Sequence, residues 1–397
     1  METSSEATRR AGSGRRGRVA TMRDIADATG LSQSTVSRVL SGAPSPVTIG
    51  EQTRSRVVEV ARELGYRPNP LARGLRGART MLLGVIVREI TDPFFAGAVE
   101  AISSEAAARG YNLVLGHAHS KADEAIALRA VLETRHCDAL LLLGDMRDQP
   151  RLLDDLRDAH IPLVALWQGS PLEGIPTVNV DNRWGVEAQL DHLVALGHRR
   201  IGFIAGRQLG DIRERRTAFL EGLSQLGAGW SHVSIEDVPN DPDGGADALD
   251  MLMDLSEPPT AVVTTTDTLA IGVLHAAQRR GLRVPDDVSV VGFDDIPLAR
   301  FTVPALTTVH MPTAEMAAVA VRAAIDESAG SDGERPVAPV LRPWLVVRGS
   351  TGGAARECCC RSCGQQWPPR TERSPARGSS SSVSETRAGS TAAPRQW

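Results

Sequence analysis

The chain has 397 residues, is 42% hydrophobic, and carries a net charge of −4 from 44 basic and 48 acidic side chains. That length suits two or three domains with buried cores, and ordinary apolar content with no run long enough to span a bilayer excludes an integral membrane protein and a wholly disordered one. The charge is divided, because residues 1–79 hold 14 arginines against 7 acids while residues 80–350 are acidic and 351–397 basic again, an arrangement suited to a polyanion at one end only. The basic start is not followed by a signal-type hydrophobic region. Five cysteines give no disulfide framework, since Cys137 stands alone and Cys358, Cys359, Cys360 and Cys363 crowd together. A cytoplasmic protein is the expectation.

Residues 1–20, containing RRAGSGRRGR, read as a disordered basic arm with nonspecific attraction for DNA. Thr21 and Asp24 then have capping-box spacing, and Ile25, Ala26 and Ala28 give the first helix one apolar stripe. Gly30 can take the positive φ of a tight turn, and Ser32 can cap a second helix that buries Val36, Val39 and Leu40. A third run, EQTRSRVVEVARELGY, puts Val57, Val58, Val60, Ala61 and Leu64 inside and stops at Gly65, with Pro68 beyond. Three helices with a glycine turn between the first two form a helix-turn-helix headpiece over 21–68, whose second helix enters the DNA major groove. The polar face of LSQSTVSRVL fits that use: Gln33 can pair with adenine and Arg38 with guanine, while Ser34, Thr35 and Ser37 can reach bases or phosphates. Thr21 and Ser32 are counted with them as DNA contacts. The competing reading is a solvated face in an unrelated helical domain.

Residues 69–80, NPLARGLRGART, join head to body, and Gly74 and Gly77 each cost a helix about 1 kcal/mol relative to alanine. From Met81 onward apolar β-type runs alternate with amphipathic helices: MLLGVIV, AGAVEAISSEAAARG, YNLVLGHA, EAIALRAVLETR, DALLLLG, PRLLDDLRDAH and IPLVALW. A second set runs through RIGFIAG, ERRTAFLEGLSQLG, AVVTTTD, TLAIGVLHAAQRRG, VSVVGFDD and LTTVH. Such alternation predicts parallel sheets flanked by helices, here two α/β lobes within 81–350: one of about 81–197 and 312–329, the other of about 198–309 and 336–348. Ligands of open α/β sheets bind beyond the carboxyl ends of the strands, so the cleft between lobes is the expected site. Asp92 in TDPFF can accept hydrogen bonds from ligand hydroxyls while Phe94 or Phe95 offers an apolar face, and Arg215 has the fork to hold paired oxygens. Trp167 and Trp184 are candidate stacking partners for a sugar ring, whereas two tyrosines in all argue against an aromatic-rich cage.

TMRDIADATGLSQSTVSRVLSG followed by TRSRVVEVARELGYRPNPLARGLR resembles the headpiece of the LacI/GalR family of bacterial transcription regulators, and LLGVIVREITDPFF and VPDDVSVVGFDDIP resemble signatures of its effector-binding core. The similarity runs from about Thr21 to Ser350. It implies a periplasmic-binding-protein-like two-lobed effector domain behind an all-α headpiece. In that family the hinge folds as a helix in the DNA minor groove of the dimer, with a leucine wedged into a base step; Leu75 matches that position, and Asn69 and Arg73 join it as expected DNA contacts. Gly74 departs from the more usual small polar residue, implying a looser hinge, and APSPVT makes the link after the second helix longer than usual. A plain flexible linker is the other reading of the segment. Asp267 and Asp294 match family positions at or beside the effector.

The resemblance implies a repressor acting as a homodimer or tetramer on an inverted-repeat operator, controlled by a small-molecule effector, with a sugar or sugar derivative as the family-weighted expectation. A solute-binding transport component would fit the same clamshell, but the headpiece argues against it; a carbohydrate-active enzyme with paired carboxylates across the cleft is a third reading. No cofactor or metal is expected. His117 and His119 alternate across an extended segment, GRQLGD lacks the lysine and hydroxyl of a P-loop, and no nucleophile, base and orienter share a spacing that argues catalysis. The tail 351–397 is rich in Ser, Gly, Pro and Arg and reads as disordered; the adjacent cysteines of CCCRSC cannot converge on one tetrahedral ion without strain.

Overall fold

A computed structural model describes residues 20–41, 49–66, 79–118, 137–167, 169, 171–207, 210–227, 229–330 and 340–354. The arm, the APSPVT link, the hinge with Asn69, Arg73, Gly74 and Leu75, the EAIALRAVLETR segment and the tail lie outside the described residues.

The headpiece has helices α1 (Met22–Thr29), α2 (Gln33–Ser41) and α3 (Glu51–Glu63). The capping box at Thr21 is formed, with the Asp24 amide donating to Thr21 Oγ1 at 3.3 Å and the Thr21 amide to the Asp24 carboxylate at 2.7 Å. Gly30 ends α1 at φ 72°, a left-handed conformation that glycine adopts without a Cβ penalty. Ile25, Ala26, Val36, Val39, Val57 and Ala61 close the small core. Three positions differ from the expected stripe. Ala28 is exposed, with Thr29 buried in its place and its hydroxyl bonded to the Ile25 carbonyl at 2.7 Å. Val58 and Leu64 are also exposed: Val58 stands beside Val57 and so about 100° round the helix from the core side, and Leu64 is the C-cap, past the last turn of the helix.

In the first lobe, β1 (Leu82–Val87), β2 (Asn112–His117), β3 (Ala139–Leu143), β4 (Leu163–Leu166) and β5 (Thr177–Val178) form a parallel sheet in the order β2-β1-β3-β4-β5. Helices α4 (Pro93–Ala108) and α5 (Pro150–Asp158) belong to it. β1, β3 and β4 are apolar almost throughout, as strands covered on both faces must be. The second sheet, in the order β11-β10-β9-β8-β6-β7, contains β6 (Arg200–Gly206), β7 (Ser231–Val238), β8 (Ala261–Thr264), β9 (Ser289–Asp294), β10 (Thr307–His310) and β11 (Trp344–Val346). β11 is antiparallel to β10 and the other pairs are parallel.

Helix α6 (Asn182–Ala195) was expected with the first lobe but packs on α7 (Gly210–Leu226), β10 and β11, and so belongs to the second. Its Gly185 lies against Phe293 of β9, where a Cβ would come within 2.7 Å of the ring; a small residue at this contact lets the helix seat on the second sheet. The remaining helices of that lobe are α8 (Pro242–Met253) and α9 (Asp267–Arg279). Helix α10 (Thr313–Ser328) returns to pack on α4, β3 and β4. The chain therefore passes between lobes three times, and two of the crossings lie side by side: Val180 bridges Leu341, and the Asp181 amide donates to the Leu341 carbonyl at 2.8 Å. No helix among the described residues is long and apolar enough to cross a membrane.

Candidate functional site

A cavity of about 180 Å³ lies between the lobes, walled by the carboxyl ends of strands from both. Just after β1, Asp92 caps α4; Trp167 follows β4, and Asp294 is the last residue of β9. Asn240, Thr266, Asp211 and Arg215 complete the second-lobe wall, with Asp145 opposite. An apolar cavity of about 150 Å³ holds a benzene ring, so this space is on the scale of one ring.

Arg215 forms the polar centre. Its Nε donates to Asn182 Oδ1 at 2.9 Å and its Nη1 to the Thr265 carbonyl at 2.6 Å and Asp294 Oδ1 at 3.1 Å. The guanidinium lies over the Phe293 ring at 3.7 Å, while Nη2 makes a long contact with the Met311 sulfur, 3.8 Å. Burial pushes the Asp294 carboxyl well above the usual carboxylate range, and the Arg215 charge opposes that shift. Asp211 is raised by burial in the same way, again against Arg215. Desolvated carboxylates beside a fixed guanidinium hold acceptors and donors ready for a polar ligand. The opposite wall is aromatic: Phe94 meets Trp167 edge to face at 5.1 Å and Phe95 at 5.4 Å. Trp167 is fixed by its Nε1 donating to the Met316 sulfur at 3.1 Å.

Two stretches of this chain match family models: residues 21–69 that of bacterial regulatory proteins of the lacI family, and residues 190–351 that of a periplasmic binding protein-like domain. The HTH-type transcriptional repressor CytR of Escherichia coli (strain K12) is 34% identical over 337 residues, which are 84% of this chain and 96% of that protein. This chain belongs to the LacI family of transcription regulators. Catabolite control protein A of Priestia megaterium is 30% identical over 76% of this chain and 90% of its own. Among solved structures, the lac repressor dimer bound to operator and the anti-inducer ONPF superposes with a TM-score of 0.73 at 26% identity, covering 84% of this chain and all of that one. The complex of the transcriptional regulator CelR with cellobiose gives a TM-score of 0.60 at 31% identity, covering 83% and 99%. As a LacI-family repressor, the chain is a DNA-binding regulator under effector control, and not an enzyme.

Within this LacI-family protein the expected cleft residues divide. Phe94, Phe95, Trp167, Arg215 and Asp294 meet at the cavity. Asp92 also lines it, but both of its oxygens are engaged: Oδ1 accepts from the Phe94 amide at 3.0 Å and Oδ2 from Asn240 Nδ2 at 2.9 Å, the latter bond crossing between lobes. Asp267 stands beside the cavity without lining it. Its carboxylate turns into the second lobe, accepting from Thr308 Oγ1 at 2.5 Å and the Ile296 amide at 2.9 Å, and burial raises its pKa to about 7. Trp184, expected as a stacking partner, is instead exposed on α6 with the Arg342 guanidinium over its ring at 4.6 Å, away from the cavity.

Asn240, Asp145, Asp211 and Asn182 were missed. Asn240 accepts from Thr266 Oγ1 at 2.7 Å, and Asp145 Oδ2 accepts from the Gly210 amide of the other lobe at 2.9 Å. Asn240 and Thr266 each directly follow or closely follow a strand of the second sheet, a position that could have flagged them.

On the headpiece, Gln33, Ser34 and Arg38 are exposed on α2, and Thr35 and Ser37 are half-buried beside them. The Ser32 hydroxyl caps the helix, accepting from the Thr35 amide at 3.2 Å. Thr21 is exposed at the start of α1, with its hydroxyl held by Asp24 at 2.7 Å.

Proposed function

We propose that the chain is a homodimeric repressor of an inverted-repeat operator whose affinity is set by a small carbohydrate held between the lobes. The observation that carries this reading is the cavity, in which the Arg215 and Asp294 pair faces the Phe94 and Trp167 rings. A hydroxylated ring has apolar C–H faces for the aromatic wall and hydroxyls for the carboxylate and guanidinium, whereas an apolar ligand would leave these buried groups unpaired. The CelR complex with cellobiose supports the same class of ligand.

For DNA, the exposed face with Gln33, Ser34 and Arg38 reads bases, and Thr21, Ser32, Thr35 and Ser37 contact bases or phosphate. Asn69, Arg73 and Leu75 carry the hinge contacts. Dimerisation uses an apolar surface after β9: Leu298, Phe301 and Val303 are 54%, 70% and 94% exposed, more apolar surface than a lone subunit usually leaves at one turn. The lac repressor structure, a dimer on its operator, supports that assembly.

The test is thermal unfolding of the full chain with D-glucose, D-galactose, D-xylose, D-ribose and cellobiose, and with nucleosides as the contrasting class. A ligand at about 100 times its Kd stabilises the fold by about 2.7 kcal/mol, which gives a clear rise in melting temperature. A rise with a sugar is expected; a rise with nucleosides alone would contradict the carbohydrate reading.

A further inference from the structure

Asn182 is 2% exposed and is the first residue of α6, immediately after the chain has crossed from first lobe to second. Its one side chain serves three residues at or beside the cavity. Oδ1 accepts from Arg215 Nε at 2.9 Å, and Nδ2 donates to Asp211 Oδ1 at 3.0 Å and to Glu214 Oε2 at 2.8 Å. A guanidinium left on its own flexible stem would sweep a range of orientations; here Nε is fixed by the amide, Nη1 by Thr265 and Asp294, and the plane by Phe293. Asp211 in turn accepts from the Gly169 amide of the first lobe at 3.1 Å, and Val180, two residues before Asn182, bridges the third crossing at Leu341.

We propose that Asn182 is the positioning residue of the effector cavity: its amide fixes the Arg215 guanidinium and ties Asp211 and Glu214 to the segment where the chain crosses between lobes. The inference rests on the cavity being the effector site. It adds that effector held by Arg215 bears on the crossing through one side chain, so a change in lobe geometry and a change in ligand affinity have a common element. An amide is required because Arg215 offers a donor while Asp211 and Glu214 offer acceptors, and asparagine alone among side chains of this shape presents both an acceptor and two donors.

Asn182→Asp keeps the acceptor for Arg215 but turns the donors into an oxygen facing Asp211 and Glu214. Burial holds both of those carboxyls above their usual range, with the Arg215 charge opposing it at each. Asp181 and Arg183 flank Asn182 in sequence, and across the lobes Asp145 acts on Asp211 and Arg147 on Glu214. Crowded carboxylates share protons, so the defect of Asn182→Asp should be relieved by acid, whereas that of Asn182→Ala should not.

The experiment uses the full chain with two readouts. The first is the Arg215 Nε–H signal in the nitrogen NMR spectrum of arginine-labelled protein, assigned by its loss in Arg215→Lys. The second is affinity for the sugars named above, measured by calorimetry near pH 7.5 and near pH 5.5, the lower pH favouring protonation of carboxyls that burial has raised. Expected are a protected Nε–H signal in wild type and Asn182→Asp but not in Asn182→Ala. Sugar affinity should fall at least tenfold in both variants near pH 7.5 and recover near pH 5.5 in Asn182→Asp alone. An Nε–H signal that survives Asn182→Ala, wild-type sugar affinity in either variant, or a defect in Asn182→Asp that ignores pH would overturn the proposal. Asn182→Asp is nearly isosteric and carries the decision if Asn182→Ala melts early. If no sugar binds wild type, the carbohydrate reading fails, and the NMR signal still decides whether Asn182 positions Arg215.

Discussion

Asp294 and Asp267 are both buried carboxylates that the sequence puts at or just beyond the ends of neighbouring strands, yet they do different work. Asp294 ends β9 with its backbone at φ 114° and its side chain against Arg215 at the cavity wall. Asp267 opens α9 and spends its carboxylate on Thr308 and Ile296. Replacing Asp294 by alanine removes charged acceptors worth about 1.5–3 kcal/mol per hydrogen bond to a ligand while leaving the headpiece unchanged, so effector response should be lost before operator binding. Asp267→Ala should instead cost stability, about 3 kcal/mol, by leaving a buried amide and hydroxyl unpaired, and urea unfolding checks it.

A pH signature accompanies that second substitution. The folded pKa of Asp267, about 7, is above its ordinary value of 3.8, so its favourable contribution is complete below about pH 4 and is lost as pH rises through about 7. Relative to Asp267→Ala, wild type should lose stability between about pH 4 and about pH 7. An unchanged difference between the two proteins across that window would contradict the assignment. Residue roles of this kind were only partly legible in the sequence. Strand ends could be read from VVTTTD and SVVGFD, but which way a carboxylate turns depends on partners such as Thr308, 41 residues away from Asp267. Asn182 gave no signal at all, because its three partners come from a helix that begins 28 residues later.

At the scale of elements, periodicity found most of what it describes. The capping box at Thr21, the glycine turn and the apolar positions of α2 gave the headpiece, and continuous apolar runs gave β1, β3, β4, β6, β8 and β9. Less visible were β7, whose SHVSIEDV is largely exposed or half-buried, and the two-residue β5. Helix α6 was credited to the wrong lobe because a helical pattern specifies an apolar face and not the sheet it will cover. In the proposed reading α2 is the element that bears most directly on DNA. Arg38→Ala should cost roughly 1–3 kcal/mol on the specific site and relax preference at one base pair, measured by anisotropy on matched and substituted duplexes. Equal losses on specific and random DNA would assign Arg38 to the phosphate backbone.

For the whole molecule, the parts combine through contacts between lobes that need no ligand, among them Asp92 with Asn240, Asp145 with the Gly210 amide and Asp211 with the Gly169 amide. These bonds favour the observed arrangement of the lobes, and in the proposed reading an effector acts by its differential affinity for this arrangement over another. In the proposed homodimer that equilibrium is coupled to the spacing of the two reading helices on an inverted repeat. Phe301→Glu would put a charge on the exposed apolar surface with Leu298 and Val303; sedimentation should then show monomers, and operator affinity should fall while sugar affinity holds. A dimer undiminished by the substitution would move the interface elsewhere.

The central claim is that the cavity between the lobes controls the grip of the headpiece on DNA. Anisotropy titration of an inverted-repeat duplex, obtained by selection from random sequence, tests it directly when wild type and Asp294→Ala are compared with and without a saturating sugar from the panel. Coupling free energies between such sites are typically 1–3 kcal/mol. Wild-type operator affinity should therefore change about tenfold on adding the sugar, and that of Asp294→Ala should start near the wild-type value and stay there; an equal change in both proteins, or none in wild type, would contradict the account.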